Sequence, residues 1–389
     1  MSLNLDKSTW ESVPFGEVID SITDRVDNPS EAGVDRYVGL EHLDPGVMTV
    51  QRWDNPGKVE AQKLRFKPGD VIFGRRRAYQ RKVAKAEFEG ICSAHALVLR
   101  AHPGRIHPDF LPVFLSSDYF LDRAVAISVG SLSPTVNWRD LKVQEFLLPG
   151  PDEQKRIADL LWALERERQA SSTLSAAVAQ MRNALIDDRF IGERDGTLQD
   201  LCERDGIRIG PFGSQLHAFD YVDDGECPVV MPQDMIDGRI AVDNIQRISA
   251  ARAQDLGRHI LREGDILLPR RGELDRRALV TAGESGWLCG TGSVRVRLRN
   301  GVPIRAVVLA LSSTATVAWL KANATGTTMP NLNAGIIARI PISLPTGQSL
   351  ALALSEIEEL DEAAVAARER SLAARNLGRA LLTDVSGGA

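Results

Sequence analysis

The chain has 389 residues, of which 43% are hydrophobic and 25% are charged, and this is enough for two globular domains with their own cores. Its formal net charge of −5 excludes a polycation that would hold nucleic acid through overall charge alone. Four cysteines lie far apart without a CxxC pair, and no apolar run approaches the length of a membrane span. The composition therefore predicts a soluble, cytoplasmic protein with neither a zinc site nor a disulfide framework.

The first predicted domain spans residues 1–150 and is mixed α+β. Short runs of β-forming residues, separated by Pro, Gly and Asp turns, lie at residues 36–40, 70–73 and 96–100. A helix is predicted over residues 108–127. The domain closes with GSLSPTVNWRDLKVQEFLLP, residues 130–149, whose glycine, proline and asparagine indicate a turn before a last strand.

A long helix is predicted over residues 151–191, because the run PDEQ places proline and acids where a helix begins. Apolar residues at helical spacing mark one face: Ile157, Leu160, Leu161, Leu164, Leu174, Val178, Met181 and Leu185. This pattern predicts an amphipathic helix of about 35 residues, which is roughly 50 Å long.

The second predicted domain, residues 192–346, has the same order of elements. Its strands are predicted at residues 228–231, 265–268 and 293–298, and its helix at residues 303–322. A second long helix is predicted within residues 347–389. The apolar stripe of that helix comprises Leu350, Leu354, Ile357, Leu360, Ala364, Ala367, Leu372, Leu377 and Leu381.

The second half of the chain repeats the first. Residues 326–345 read GTTMPNLNAGIIARIPISLP, and their first glycine, Pro330, Asn333 and last proline match residues 130–149 at one offset of 196 residues (326 − 130). Upstream, GDVIFGRR at residues 69–76 corresponds to GDILLPRR at residues 264–271. This pseudo-two-fold internal repeat predicts two similar surfaces, which suit a roughly two-fold partner such as double-stranded DNA.

Two long helices with narrow apolar stripes each need a partner helix. They are therefore predicted to pair as an antiparallel coiled coil that separates the two domains. The predicted pairing residues are Ile157, Leu161, Leu164, Val178, Leu354, Ile357 and Leu360. The alternative is that each helix packs only on its own domain.

The sequence contains no recognisable catalytic constellation. It lacks a GxxxxGK[ST] loop, a dinucleotide-binding glycine loop and a GxSxG sequence, and GPFGS at residues 210–214 is interpreted as a turn. The histidines do not cluster at metal-ligand spacing. Asp70 and Asp265 recur in equivalent Gly-Asp turns and are interpreted as turn residues. We therefore expect no catalytic residue, no metal and no cofactor bound by this chain.

The local distribution of charge instead predicts a role in DNA recognition. Basic residues gather in residues 67–105 and 262–305, whereas acids gather in residues 356–369. The candidate DNA-binding residues form one loop in each domain: Arg75, Arg76, Arg77, Tyr79, Gln80, Arg81 and Lys82, and Arg270, Arg271, Arg276 and Arg277. Arginine binds a guanine edge with two hydrogen bonds, glutamine binds adenine, and lysine contacts phosphates. The alternative is a pair of solvated basic loops.

The combination resembles the specificity subunit of type I restriction-modification systems. The features that carry the resemblance are the GxxxPxxN segment closing each domain, the run PGPDEQKRIA at residues 149–158 and the GDVIFGR run with its second copy. The resemblance covers nearly the whole chain. The second long helix departs from it, because TGQSL at residues 346–350 replaces the DEQ pattern at its start.

The resemblance implies two target recognition domains, each reading one half of a split DNA sequence, and paired helices that fix the unread gap. It also implies docking of methyltransferase subunits, which bind S-adenosylmethionine and methylate adenine, and of a restriction subunit, while this chain catalyses nothing. Two other classes stay open from the residues alone. One is a duplicated protein-interaction scaffold without DNA specificity, and the other is a self-contained DNA enzyme.

Overall fold

The structure, a computed structural model, describes residues 5–190, 196–326 and 331–385. Packing divides the chain into two units, Met1–Ser175 with Ala366–Ala389, and Ala176–Val365. Each long helix therefore contributes one part to each unit. The predicted domain boundaries follow the ends of the helices instead, and Pro330 of the repeat lies outside the described residues.

The first unit contains a mixed α+β domain that is built from short elements. Its strands are β1 (Glu11–Pro14), β2 (Ile19–Ile22), β3 (Arg25–Val26), β4 (Tyr37–Val38), β5 (Lys63–Phe66), β6 (Val71–Phe73), β7 (Val83–Lys85), β8 (Gly90–Ser93), β9 (Leu97–Ala101) and β10 (Glu145–Leu148). Its helices are α1 (Phe15–Val18), α2 (Phe110–Ser116), α3 (Asp118–Ala126), α4 (Trp138–Leu141) and the first part of α5 (Pro151–Phe190).

Two four-stranded sheets form this first domain, in the orders β2-β9-β6-β7 and β3-β5-β8-β4. All their pairs are antiparallel except β4 with β8, and β1 pairs separately with β10. Phenylalanines fill the core beneath the first sheet. The ring centroids of Phe114 and Phe146 lie 5.2 Å apart at a nearly perpendicular angle, and Phe15 and Phe120 pack on them.

The second unit repeats this architecture. Its strands are β11 (Gly196–Thr197), β12 (Cys202–Ile209), β13 (Cys227–Val230), β14 (Met235–Ile236), β15 (Arg239–Ile240), β16 (Arg247–Ile248), β17 (Ile266–Pro269), β18 (Ala278–Leu279), β19 (Leu288–Cys289), β20 (Ser293–Leu298) and β21 (Pro341–Ile342). Its helices are α6 (Leu198–Leu201), α7 (Ala250–Asp255), α8 (Ile304–Ala310), α9 (Thr314–Asn323), α10 (Ala334–Ala338) and part of α11 (Gly347–Val385).

Strand orders confirm that the two domains are related. The sheet β12-β20-β17-β18 matches β2-β9-β6-β7, and β11 pairs with β21 as β1 pairs with β10. The parallel pair also recurs, because Val38 on β4 aligns with Cys92 on β8, and Val230 on β13 aligns with Cys289 on β19. The pseudo-two-fold repeat read from the sequence is thus a repeat of topology.

The single helices predicted over residues 108–127 and 303–322 are wrong in the same way. Each is two helices broken at a serine, and these serines, Ser117 and Ser313, are 196 residues apart (313 − 117). Each hydroxyl accepts a hydrogen bond from a backbone N–H in the first turn of the next helix, Phe120 N at 3.3 Å and Thr316 N at 3.2 Å. This capping stabilises a new helix start, so one apolar stretch becomes two helices.

Asp70 and Asp265 do more than the predicted turn interaction. Each carboxylate accepts the backbone N–H three residues earlier at 2.8 Å, as expected for a turn residue. Each is also buried and pairs with an arginine through two hydrogen bonds, Arg100 at 2.6 and 2.8 Å and Arg297 at 2.7 Å for both. These pairs join the turn before β6 or β17 to the neighbouring strand β9 or β20.

The long helices α5 and α11 pack against each other within each unit. In the second unit, Arg182 pairs with Asp361 at 2.5 Å and Arg189 with Glu356 at 3.1 Å. Residue numbers rise on α5 as they fall on α11, so the helices are antiparallel there. In the first unit, the Ser371 hydroxyl donates to the Arg168 carbonyl at 3.3 Å.

The predicted pairing residues lie at or near the contacts between these helices and the domain cores. Ile157 and Leu161 share a buried cluster with Leu381 and Val385, and Ile357 shares another with Ile186. The remaining four are partly buried: Leu164, Val178, Leu354 and Leu360.

The predicted apolar stripes of the two long helices are wrong at four positions, because these side chains are exposed: Leu160, Leu174, Met181 and Leu372. Small and polar side chains outside the predicted stripes are buried, namely Ser171, Ser175 and Ala374, whereas Ala364 and Ala367 of the predicted stripe are buried as expected. On α11, one series of buried or half-buried positions runs from Ala353 to Val385 in alternating steps of four and three residues. This is coiled-coil spacing, but alanine and serine do not stand out in a hydrophobic pattern.

The four cysteines are free and buried. No single helix in the described part of the chain is long and apolar enough to cross a membrane, although α8 and α9, which meet at a bend of 65°, pass that test as a pair.

We expect the Asp265→Asn substitution to cost more stability than Asp70→Asn. Arg297 is 13% exposed and would become an uncompensated buried charge, whereas Arg100 is 41% exposed and can be hydrated. The expected losses are about 3–5 kcal/mol for Asp265→Asn and about 1–2 kcal/mol for Asp70→Asn. Denaturant unfolding with hydrogen exchange assigned to each unit measures both, and equal losses would contradict this account.

Leu161→Asp should destabilise the first unit by at least about 3 kcal/mol, because the carboxylate enters an apolar cluster. Leu161 is 2% exposed, whereas its neighbour Leu160 is 41% exposed, so Leu160→Asp is a matched control. The control should change stability by less than about 0.5 kcal/mol. Thermal unfolding of both variants tests the assignment, and two equally stable variants would show that Leu161 is not at a packed contact.

Candidate nucleic-acid interface

The basic loop of the first domain connects β6 to β7 and turns tightly. Its residues Arg77 and Arg81 have φ angles of 57° and 55°, in the left-handed region that favours glycine. In the second domain, the position equivalent to Arg77 is Gly272, with φ of 81°. The first domain thus holds an exposed arginine in a conformation that costs roughly 1 kcal/mol, and such strain is often found at functional sites.

In each domain, the segment after the helix pair closes onto the basic loop. We name residues 129–137 and the described counterparts, residues 325–326 and 331–333, the closing segments. Val136 N donates to the Arg75 carbonyl at 3.0 Å, and Leu332 N donates to the Arg270 carbonyl at 2.8 Å. Isolated bridges also pair Arg76 with Thr135 and Arg271 with Asn331. The repeat and the basic loops noted in the sequence therefore form one site in each domain.

In the first domain, three arginines lie at this site. Arg76 donates to the Ser133 hydroxyl at 3.4 Å and lies 3.4 Å from the ring of His95, measured between Nη1 and Nε2. Arg75 donates to the Ala94 carbonyl at 3.4 Å, and Arg77 is exposed. Tyr79 is 53% exposed, so its ring is available to a ligand.

His95 belongs to this site, although the sequence analysis did not select it. Burial, followed by the charges of Arg76 and Arg75, lowers the pKa of His95 below its usual value. The imidazole is therefore neutral near pH 7 and has one donor and one acceptor to offer. His95 lies 19 residues from Arg76 in the chain, so no local pattern indicates this proximity.

The end of the first loop is held in structural contacts. Arg81 pairs with Asp118 and with Asp122, and the second of these contacts is 3.0 Å long. Lys82 donates to the Leu40 carbonyl at 2.6 Å. Gln80 is half-buried within a 3₁₀ turn. Arg81 and Lys82 therefore anchor the loop to the rest of the domain, while Arg75, Arg76 and Arg77 lie at the site.

The basic loop of the second domain also has some arginines at the site and others held in structural contacts. Arg270 donates to the Asn331 side chain at 3.1 Å, and its guanidinium lies 5.3 Å from the ring centroid of Phe212. Arg271 is exposed. By contrast, Arg276 pairs with Glu273 at 2.9 Å. Arg277 donates to the Asp275 carbonyl at 3.0 Å, and burial, helped by the charge of Arg182, lowers its pKa.

Two basic residues of the second domain are structural. Arg297 is committed to Asp265, and Arg295 is buried and donates to the carbonyls of Arg258 and Asp205 at 3.2 and 3.1 Å. Both arginines fall within the basic region of residues 262–305 that the sequence analysis identified. They lie on β20, where they could not be distinguished from surface arginines by composition.

Each site can make two kinds of contact with nucleic acid. Exposed guanidinium groups suit guanine edges and phosphates, and an exposed aromatic ring, Tyr79 or Phe212, suits a base or sugar face. No group of three or more His, Cys, Asp or Glu residues that could hold a metal ion is found in the described ranges.

Residues 7–178 match the family described as the type I restriction modification DNA specificity domain. This match covers less than half of the chain and shows that its first part is similar to a type I restriction-modification DNA specificity domain. A curated relative, the EcoDI specificity subunit of the Escherichia coli type I restriction enzyme, is 25% identical over 200 residues. That match covers 48% of this chain and 42% of the relative, so the chain spans less than half of the relative's length.

Two solved structures share the fold of this chain over nearly its whole length. One, from work on complex assembly and conformational transition of the type I R-M system, has a TM-score of 0.61 at 18% identity and covers 98% of both chains. The other, a type I restriction-modification S subunit from M. genitalium, has a TM-score of 0.58 at 15% identity and covers 100% of this chain and 99% of that one. These likenesses confirm the predicted α+β fold with two domains and two long helices.

Proposed function

We propose that this chain is the sequence-specific DNA-binding specificity subunit of a type I restriction-modification complex, and that it reads a bipartite target. The observation that carries the proposal is the repeated site. In both domains, a closing segment holds a basic loop by the same backbone hydrogen bond, and an arginine and an aromatic ring are exposed beside it. Two related but non-identical sites suit two different half-sites in duplex DNA.

The two domains should read different sequences, because their side chains differ. The first site offers Tyr79, His95 and three arginines, whereas the second offers Phe212 and two arginines. Tyrosine and histidine can each form hydrogen bonds with base edges, but phenylalanine can only stack or pack against a base. The half-sites should therefore differ in the number of hydrogen-bonded bases.

We further propose that the chain itself is non-catalytic, binds no cofactor and acts in the cytoplasm. Methyltransferase subunits would carry S-adenosylmethionine, and a restriction subunit would join them. The long helices support docking of proteins, because large apolar side chains outside their contact seam are exposed: Leu160, Leu174, Met181, Leu352, Val365 and Leu372.

Arg76→Ala should alter recognition of one half-site, and Arg271→Ala should alter the other. A lost bidentate contact costs about 1–3 kcal/mol, so the affected base should become degenerate in the methylated motif. The measurement is sequencing of modified bases in the source genome, with the gene deleted and then complemented by each variant.

Arg52→Ala is the control for this experiment, because Arg52 is exposed, pairs with Asp44 away from the basic loop and should leave both half-sites unchanged. Loss at both half-sites in Arg76→Ala would contradict two independent readers. If no split motif disappears on deletion, the proposed role in methylation is wrong in that organism. Binding that does not weaken with rising salt would favour the interaction scaffold instead.

We propose that the paired helices set the gap between the half-sites. Removing seven residues from α5 and seven from α11 keeps the alternating seam and shortens each helix by about 10 Å, roughly three base pairs of DNA. The methylated motif should keep both half-sites with a shorter gap. Removal from α11 alone is the control and should abolish the motif, because the seams no longer match. An unchanged gap in the double deletion would show that the helices are not the spacer.

A further inference from the structure

A cavity of about 370 Å³ opens in the second domain, and neither the basic loop nor the closing segment accounts for its chemistry. Its polar lining consists of Arg208, Gln215, Arg258 and His259, and Phe212 forms part of its wall. None of its lining residues in the described part of the chain is acidic. Cationic side chains without a facing carboxylate are the pattern of an anion site.

His259 is a buried polar group whose ring makes no hydrogen bond of normal geometry with the described residues. It is 5% exposed, and neither ring nitrogen makes a hydrogen bond of normal geometry, although the backbone of Ile209 is close enough to raise its pKa slightly. Burial, followed by the charges of Arg258, Arg208 and Arg295, lowers the pKa of His259 to about 4. The ring is therefore neutral at pH 7, and an unsatisfied buried donor usually has a ligand or an ordered water.

Among the described residues, no carboxylate forms an ion pair with Arg208, Arg258 or Arg295. Arg295 lowers the pKa of His259 through its charge and is itself buried, with its Nε atom unpartnered among the described residues. Asp265, whose charge acts on Arg295, is already engaged in two hydrogen bonds with Arg297. Excess positive charge in a partly buried place is costly unless an anion neutralises it.

The cavity lies beside the candidate DNA-binding site. Phe212 lines the cavity and also stacks beneath the guanidinium of Arg270, which is hydrogen-bonded to Asn331 of the closing segment. The GPFGS sequence at residues 210–214, which was predicted only as a turn, lies at the boundary between the cavity and the candidate DNA-binding site. Its first glycine, Gly210, is required because a Cβ atom there would lie 1.9 Å from the Gly290 carbonyl oxygen.

We infer that this cavity binds a phosphate group, with Arg208 and Arg258 as its cationic contacts and the imidazole N–H of His259 as a neutral donor. The phosphate belongs either to the DNA backbone next to the Arg270 loop or to a free phosphate ion. The first source rests on the proposed function, whereas the second does not. A backbone phosphate held here would fix the register of the second domain on DNA without reading bases.

The test uses the full chain with Arg258→Gln and the matched control Arg239→Gln, since both arginines are exposed in the second unit. DNA binding is measured at several salt concentrations. Losing one phosphate contact lowers the slope of log K against log salt by about 0.9, with no change in sequence preference. Equilibrium dialysis with inorganic phosphate, and the NMR shift of the His259 ring, measure the free ion.

A smaller salt slope in Arg258→Gln, but not in Arg239→Gln, supports the inference and assigns the DNA backbone as the source. Phosphate binding that is lost in Arg258→Gln, with an unchanged salt slope, supports it and assigns the free ion. If neither variant changes either measurement, the inference is overturned. If the wild-type chain binds no DNA at all, the proposed function fails. Equilibrium dialysis still tests whether the cavity binds phosphate. Arg208→Gln repeats the test should Arg258→Gln unfold.

Discussion

The backbone hydrogen bond between the closing segment and the basic loop is the constraint on which the recognition surfaces depend. Val136 N to the Arg75 carbonyl, and Leu332 N to the Arg270 carbonyl, hold each loop at its first arginine. In each domain, the closing segment follows a helix pair that is broken at Ser117 or Ser313. The rest of each loop can then vary in side chain and charge while its first residues remain fixed.

The sequence predicted those parts of the fold in which local chemistry repeats. The two copies of the glycine, proline and asparagine segment, the Gly-Asp turns and the long helices were all visible, because turn residues and helical periodicity act over a few residues. The helix breaks were missed because a serine cap depends on one side-chain hydrogen bond inside an otherwise apolar stretch. The predicted apolar stripes did not match all the buried positions of the helices. Ala374 and Ser171 are buried there although neither side chain is strongly hydrophobic.

The candidate site was predicted only in part, since charge in a sequence does not reveal its partner. Arg81 and Arg276 look the same as Arg76 and Arg271 in the chain, yet their carboxylate partners bind them elsewhere. His95 and Phe212 lie far from the basic loops in sequence and reach them only through sheet pairing and a turn. Recognition surfaces assembled from distant segments require the tertiary structure.

The pairing of first and last strands has a consequence for how such proteins can change. Glu11 on β1 lies opposite Leu148 on β10, and Gly196 on β11 lies opposite Ile342 on β21. The chain therefore enters and leaves each globular domain at neighbouring points. A domain held this way is a cassette, which recombination at its two adjacent ends could replace without disturbing the helices. New target sequences could arise by exchange of whole cassettes rather than by stepwise substitution.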